Sequence, residues 1–218
     1  MCSCQRPEFP AQPLHKDHHI CCFANAGGSA GDLIWIPIPK CGSNSIRRSR
    51  LGSKVRPAAL DASKFKKGFV VLRDPVDRFK SLVAMFCLLN DSRRHRGTAL
   101  KAGPWSDHGT ALLGHHDGAA IAEVVLRNFA KLSTLPYNLR DHWFTQKSFI
   151  PPAFFELEDP RFYDMEWLRK NHKASNTTPS ASVQISAEQR EEILKIYAED
   201  VELYEKHIGP IDPVVTPS

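Results

Sequence analysis

Apolar residues in this chain gather into short runs that stop sharply. The first, Leu33 to Ile38 (LIWIPI), breaks up among two prolines. Its aliphatic and aromatic residues predict a buried strand over 32–39. Pro37 and Pro39 cannot donate ladder hydrogen bonds, so the strand must end near them. The second run lies within KGFVVLRDP, Lys67 to Pro75, and stops as abruptly at Arg73. A continuous β-branched run with a sharp stop predicts a second strand. Asp74 and Pro75 then read as the cap and first residue of a helix. Phe79, Leu82, Val83 and Phe86 recur at the spacing of one buried helical face.

The same reading continues downstream. Ile121, Val124, Val125, Phe129 and Leu132 predict a helix. FFELED, Phe154 to Asp159, predicts a short strand, and Phe162 to Lys170 a helix. Ser186 and Gln189 form a capping-box pattern ahead of a last helix on which Ile193, Ile196, Tyr197, Val201 and Tyr204 share a face. Strands alternating with helices predict an α/β fold with a mainly parallel sheet. From Asn90 to Asp117 no period holds. This long basic stretch reads equally as a lid over a site or as an insertion. Residues 1–31, closing on NAGGSAG, read as a flexible tail, 32–208 as one domain and 209–218 as a second tail.

Composition narrows the function. The chain has 218 residues, a net charge of +5 and 42% apolar residues, enough for one core. The mild basic excess suits an anionic ligand and does not by itself point to nucleic acid. No run approaches the roughly 18 apolar residues of a membrane span, and no signal peptide is visible, which predicts a soluble, cytoplasmic protein. Four of the six cysteines (Cys2, Cys4, Cys21, Cys22) lie in the first 22 residues with His15, His18 and His19. Their C-x-C and C-C spacings are not those of a zinc site, and no disulfide framework is implied. Cys87 lies in an apolar helical pattern and reads as a buried thiol.

The chemistry is concentrated at the two strand ends. PKCGSNS, Pro39 to Ser45, sets a lysine ahead of small residues that open a helix. Free N–H groups at such a loop converge on an anion. In an ATP-binding loop the lysine follows the glycines and precedes Ser or Thr; here Lys40 precedes Gly42. RDPVDRFKS, Arg73 to Ser81, sets an arginine at a strand tip and a serine about two turns along the next helix, a pair able to clamp a phosphate. Arg78 is expected to pair with Asp74 or Asp77 and order the turn.

These motifs resemble those of sulfotransferases that use 3′-phosphoadenosine 5′-phosphosulfate (PAPS). PKCGSNS resembles that family's 5′-phosphosulfate loop, with Asn44 where Thr is commoner. RDPVDRFKS matches its 3′-phosphate motif R-D-P-x-x-R-x-x-S. DHWFTQKSFI, Asp141 to Ile150, resembles the H-W-x-x-Q segment of the carbohydrate sulfotransferase branch, and YAEDVELYEKH, Tyr197 to His207, its C-terminal helix.

The resemblance implies a P-loop-like three-layer fold and sulfuryl transfer from PAPS to an acceptor hydroxyl or amine, with a carbohydrate as the expected acceptor and no metal. It implies PAPS contacts from Lys40, Cys41, Gly42, Ser43, Asn44, Ser45, Arg73 and Ser81. Lys40 is the expected catalytic cation. His142 is the first candidate for the base, ahead of His108, His115, His116 and Asp61. No His or Glu lies between Ser45 and Phe69, where some family members carry a catalytic one. HKASNTTPS, His172 to Ser180, is a polar turn that the resemblance would fold over the nucleotide. The rivals are a P-loop kinase or ATPase, for which the required G-x-x-x-x-G-K-[ST] is missing, and a non-catalytic anion-binding domain.

Overall fold

The computed structural model describes residues 20–23, 33–43, 46, 52–55, 65–91, 118–129, 141–172 and 183–211. Outside them lie Asn44, Ser45, Asp61, Leu132, His108, His115, His116, most of the 90–117 loop, residues 173–180 and the Cys2–His19 group. The side chains of Phe86 and Cys87 are likewise outside them.

The described sheet has five strands: β1 (Ile20–Phe23), β2 (Leu33–Ile36), β3 (Gly52–Val55), β4 (Lys67–Val71) and β5 (Asp159–Tyr163), in the order β3-β1-β2-β4-β5. β2, β4 and β5 are parallel, with Leu33 opposite Lys67 and Lys67 opposite Asp159. β1 runs antiparallel to both β2 and β3. The helices are α1 (Pro75–Asp91), α2 (Gly118–Arg127), α3 (Met165–Asn171), α4 (Ala187–Ile196) and α5 (Ala198–His207). The described residues are therefore α/β, with three parallel strands on one side of the sheet and the antiparallel pairings on the other.

Both faces of β2 and β4 are covered, which is why these two strands read as unbroken apolar runs. Ile34, Ile36, Val70 and Leu72 pack on one side with Phe149, Phe154, Leu157 and Leu203. Trp35, Phe69 and Val71 pack on the other with Ile46 and Leu168. Gly68 lets the first layer approach: a Cβ there would stand 2.6 Å from Leu157 and 2.7 Å from Phe154. A third cluster joins α1, α2 and α4 through Phe79, Leu82, Val83, Ile121, Val125 and Ile193.

Four expectations change. Ile20–Phe23, read as tail, is strand β1 in the middle of the antiparallel half, and β3 at Gly52–Val55 was not foreseen. Each is four residues long, too short for its pattern to stand out. Pro152–Phe154 forms a 3₁₀ turn behind Pro151, and the strand begins only at Asp159. Pro160 is tolerated there because β5 lies at the edge of the described sheet. The next helix begins at Met165, where the Asp164 carboxylate caps it by accepting from Trp167 N–H at 2.7 Å. The last helix is two: the capping box at Ser186 and Gln189 is present, but the helix breaks at Tyr197 (φ −100°, ψ 32°).

Candidate functional site

The site is assembled where β2 and β4 end side by side. After Ile36 the chain turns at once: Cys41 N–H donates to the Ile38 carbonyl at 3.2 Å. Pro39 occupies the second position of this turn and Lys40 the third, with φ +67°. That is the signature of a type II turn, whose third residue is ordinarily Gly or Asn. A lysine held in the left-handed region carries backbone strain, of the kind that marks functional loops. Gly42 follows with φ +74°, and Ile46 N–H donates to its carbonyl at 3.4 Å, opening the helical turn. Glycine suits Gly42 on two counts: its positive φ, and a Cβ that would stand 1.9 Å from Leu168 Cδ2 of α3 and displace that side chain.

β4 delivers Arg73 to the same edge. Its Nη1 donates to the Lys40 carbonyl at 3.4 Å. Asp74 caps α1 as expected, accepting from Asp77 N–H at 2.9 Å. Gln146, fully buried between the two loops, ties them together. Its Oε1 accepts from Arg73 N–H at 2.9 Å and from the Cys41 thiol at 3.0 Å, and its Nε2 donates to the Arg73 carbonyl at 2.7 Å.

Behind this edge lies a buried ion pair. Arg78, 1% exposed, faces Asp200, 0% exposed, with Nη1 3.9 Å from Oδ2. Its Nε donates to the Pro39 carbonyl at 3.2 Å and its Nη2 to the His142 carbonyl at 3.0 Å. The expected pairing of Arg78 with Asp74 or Asp77 is thus corrected: α1 turns Arg78 inward, while Asp74 is spent as a helix cap. The Asp200 carboxylate accepts two further bonds, from Gln146 N–H at 2.8 Å and Lys147 N–H at 3.1 Å. These order the segment that carries His142, Trp143 and Gln146. Tyr197, at the helix break, donates its hydroxyl to the Trp143 carbonyl at 2.9 Å.

The electrostatics follow from burial and sign. Burial lowers the Lys40 amine to about 8, helped by the Arg73 and Arg78 cations. No carboxylate pairs with Lys40 among the described residues, and the charges that shift it most are the two arginines. His142, in the 3₁₀ turn Asp141–Trp143, is pushed down to about 4 by burial and then by Lys40 and Arg78, so its imidazole is neutral at pH 7. Burial raises the Cys41 thiol to about 12, which keeps it protonated as the donor to Gln146. The Asp200 carboxyl is pushed upward by burial, opposed by Arg78 and the two amides.

Of the residues singled out in the sequence, Lys40, Cys41, Gly42 and Arg73 converge here, and Ser43 stands at the start of the helical turn. His142 reaches the same place through the Arg78 bridge and the charge of Lys40. Ser81 is 4% exposed on the inner side of α1, and among the described residues no hydrogen bond joins it to Arg73. Gln146, Arg78 and Asp200 were passed over as site residues. Asp200 had a visible signal: it lies three residues from Tyr197 on the apolar stripe of the last helix, where a solvated carboxylate has no place.

The lowered Lys40 amine and the Arg73 guanidinium thus stand together at the carboxyl edge of the parallel strands, the place where such sheets offer cations to a ligand. No family model, no curated protein and no solved structure matches the chain. Among the described residues no helix is long and apolar enough to cross a membrane, and no cluster of His, Cys, Asp and Glu groups as metal ligands would.

Proposed function

We propose that the chain is a PAPS-dependent sulfotransferase of P-loop-like fold, with a carbohydrate hydroxyl as the acceptor class to test first. The observation that carries this reading is the pairing of the two motif loops: Arg73 donates to the Lys40 carbonyl while Gln146 holds both loops from behind. The motifs that resemble a 5′-phosphosulfate loop and a 3′-phosphate motif are far apart in sequence and adjacent in space. Lys40 fits an anion in its own right, since the charges that act on it most are the Arg73 and Arg78 cations.

PAPS as co-substrate supplies the sulfuryl group. In the transfer the acceptor oxygen forms a bond to sulfur, the bond from sulfur to the bridging phosphate oxygen breaks, and adenosine 3′,5′-bisphosphate leaves. Charge grows on that leaving oxygen. Lys40 is the residue to stabilise it, as a preorganised donor does in a site largely closed to water. Arg73 binds the phosphate groups as a planar fork. The acceptor proton needs a base, and His142 is neutral and able to take it. The direct experiment is transfer of radiolabelled sulfate from PAPS to a panel of carbohydrate, phenol and amine acceptors, with and without a chelator. Chelator-insensitive turnover is expected. Absence of PAPS binding, or hydrolysis of Mg²⁺-ATP in its place, overturns the reading.

A further inference from the structure

Arg78 touches three chain segments with three edges of one guanidinium. Nε holds the carbonyl of Pro39, the residue before Lys40. Nη2 holds the carbonyl of His142. Nη1 faces Asp200. The first two contacts are to backbone, and both lie at the residues on which the proposed chemistry depends. Because guanidinium is planar and rigid, its two donors fix the two carbonyls at one separation and angle. Lys40 needs such support, since its own backbone is strained at φ +67° and would relax if the preceding carbonyl were released.

We infer that Arg78 is a positioning residue that sets Lys40 against His142, with Asp200 as the counter-charge that holds it in place. It does not touch the ligand. Its loss is therefore expected in turnover more than in anion affinity. Displacement of a reacting group by about 1 Å commonly costs 10²-fold. The groups that face Lys40 are Arg73 from the end of β4, Arg78 from α1 and His142 from the 3₁₀ turn, with Asp200 of α5 behind Arg78.

The conservative variant Arg78→Lys separates position from charge. It keeps a cation opposite Asp200 and cannot span both carbonyls. Lys40 should then leave its buried place and rise from about 8 toward the ordinary 10.5, read by titrating ¹³Cε-labelled lysine by NMR. A Lys40 that stays near 8 in the folded variant overturns the inference. Should Arg78→Lys not fold, Asp200→Asn asks the same question. It keeps an acceptor for the Gln146 and Lys147 amides. Charge alone would lower Lys40 further when the carboxylate is removed, whereas loss of positioning raises it.

Turnover gives the second readout and rests on the sulfotransferase reading. In Arg78→Lys, kcat should fall roughly 10²-fold while affinity for adenosine 3′,5′-bisphosphate changes less than about threefold. Equal loss in both would make Arg78 a binding residue. If the wild-type protein turns over no PAPS, that reading fails, and the lysine titration still decides the role of Arg78.

Discussion

The side chain of Gln146 pairs with the backbone of Arg73 as a neighbouring strand would: Oε1 accepts from the Arg73 N–H at 2.9 Å, and Nε2 donates to the Arg73 carbonyl at 2.7 Å. β4 ends at Val71, so these two polar groups lie beyond its last paired residue. A buried glutamine replaces the missing ladder, and its spare lone pair takes the Cys41 thiol from the other loop. The tip that carries Arg73 is thereby tied to the segment of Gln146 and to the Cys41 loop.

Gln146→Leu keeps the approximate volume and removes all three bonds. The part-buried Arg73 N–H and carbonyl would lose these bonds. A cost of about 2 to 4 kcal/mol follows from the usual penalty for such groups, measurable as a fall in the urea midpoint at constant slope. A loss below about 0.5 kcal/mol would mean that water replaces the amide.

Lys40 combines a strained backbone with a lowered amine, and the two make opposite predictions for stability and activity. Lys40→Gly should stabilise the fold by about 1 kcal/mol, because glycine adopts φ +67° freely. The same change should lower kcat by about 10²-fold or more, as loss of an oxyanion-type donor does. In the wild type kcat/KM should fall as pH rises through about 8, where the free amine loses its charge. A bound anion favours the ammonium, so the corresponding limb of kcat should lie at higher pH. A variant both inactive and destabilised would remove strain from the account.

Arg73 is half-buried with its fork at the sheet edge, one branch spent on the Lys40 carbonyl. Calorimetry on Arg73→Ala should show adenosine 3′,5′-bisphosphate weakened far more than adenosine 5′-phosphate. Equal losses for the two nucleotides would assign Arg73 to the 5′ side or to loop structure alone. The buried position of Ser81 makes Ser81→Ala the informative companion. If Ser81 serves packing alone, its loss leaves both affinities unchanged.

What the sequence revealed and what it hid divides by range. The parallel strands β2 and β4 were legible because burial on both faces writes a continuous apolar run, whereas the polar edge strand β5 was read partly as helix. The loops were legible because Pro39, Gly42, Asp74 and Pro75 do their work on their nearest neighbours. Arg78 misled because a local carboxylate, Asp74 or Asp77, offered an apparent partner. Its real one, Asp200, comes from a helix near the end of the chain. The break at Tyr197 was hidden by a stripe that continues in phase across it. Nothing in the local pattern marks Lys40 as left-handed, since that conformation is imposed by the Pro39 turn and by the carbonyl contacts from Arg73 and Arg78.

Gly42 and Leu168 offer a test of how tightly α3 closes on the first loop. Gly42→Ala meets two obstacles, the positive φ of +74° and the 1.9 Å approach to Leu168 Cδ2. A destabilisation of about 2 to 4 kcal/mol is expected, since overpacking and left-handed strain each cost about 1 to 2. Adding Leu168→Ala relieves the clash and leaves the φ strain. The double variant should therefore lie above the sum of the two single losses, by roughly 1 kcal/mol or more in a double-mutant cycle. Strict additivity would mean that α3 and the loop are not in contact.

His142 carries the last prediction, and its environment changes what would be expected of a histidine base. An ordinary imidazole titrates near 6.5, but burial together with Lys40 and Arg78 holds this one at about 4. In the free enzyme the acidic limb of kcat/KM due to His142 should therefore fall near pH 4, not between 6 and 7. Below it the imidazole is protonated and cannot accept the acceptor's proton. Bound PAPS brings negative charge beside the same group, so the limb in kcat should move upward from about 4. His142→Gln can still make hydrogen bonds but cannot take up the proton. It should lose turnover by about 10²-fold or more, and lose that acidic limb, while adenosine 3′,5′-bisphosphate affinity stays nearly intact. If the variant loses ligand affinity with kcat preserved, His142 holds the segment in place and the base must be sought among His108, His115 and His116. The upward displacement of the limb from kcat/KM to kcat is the sharper criterion. It depends on His142 and the bound anion sharing one field, which a residue that merely orders its loop would not report.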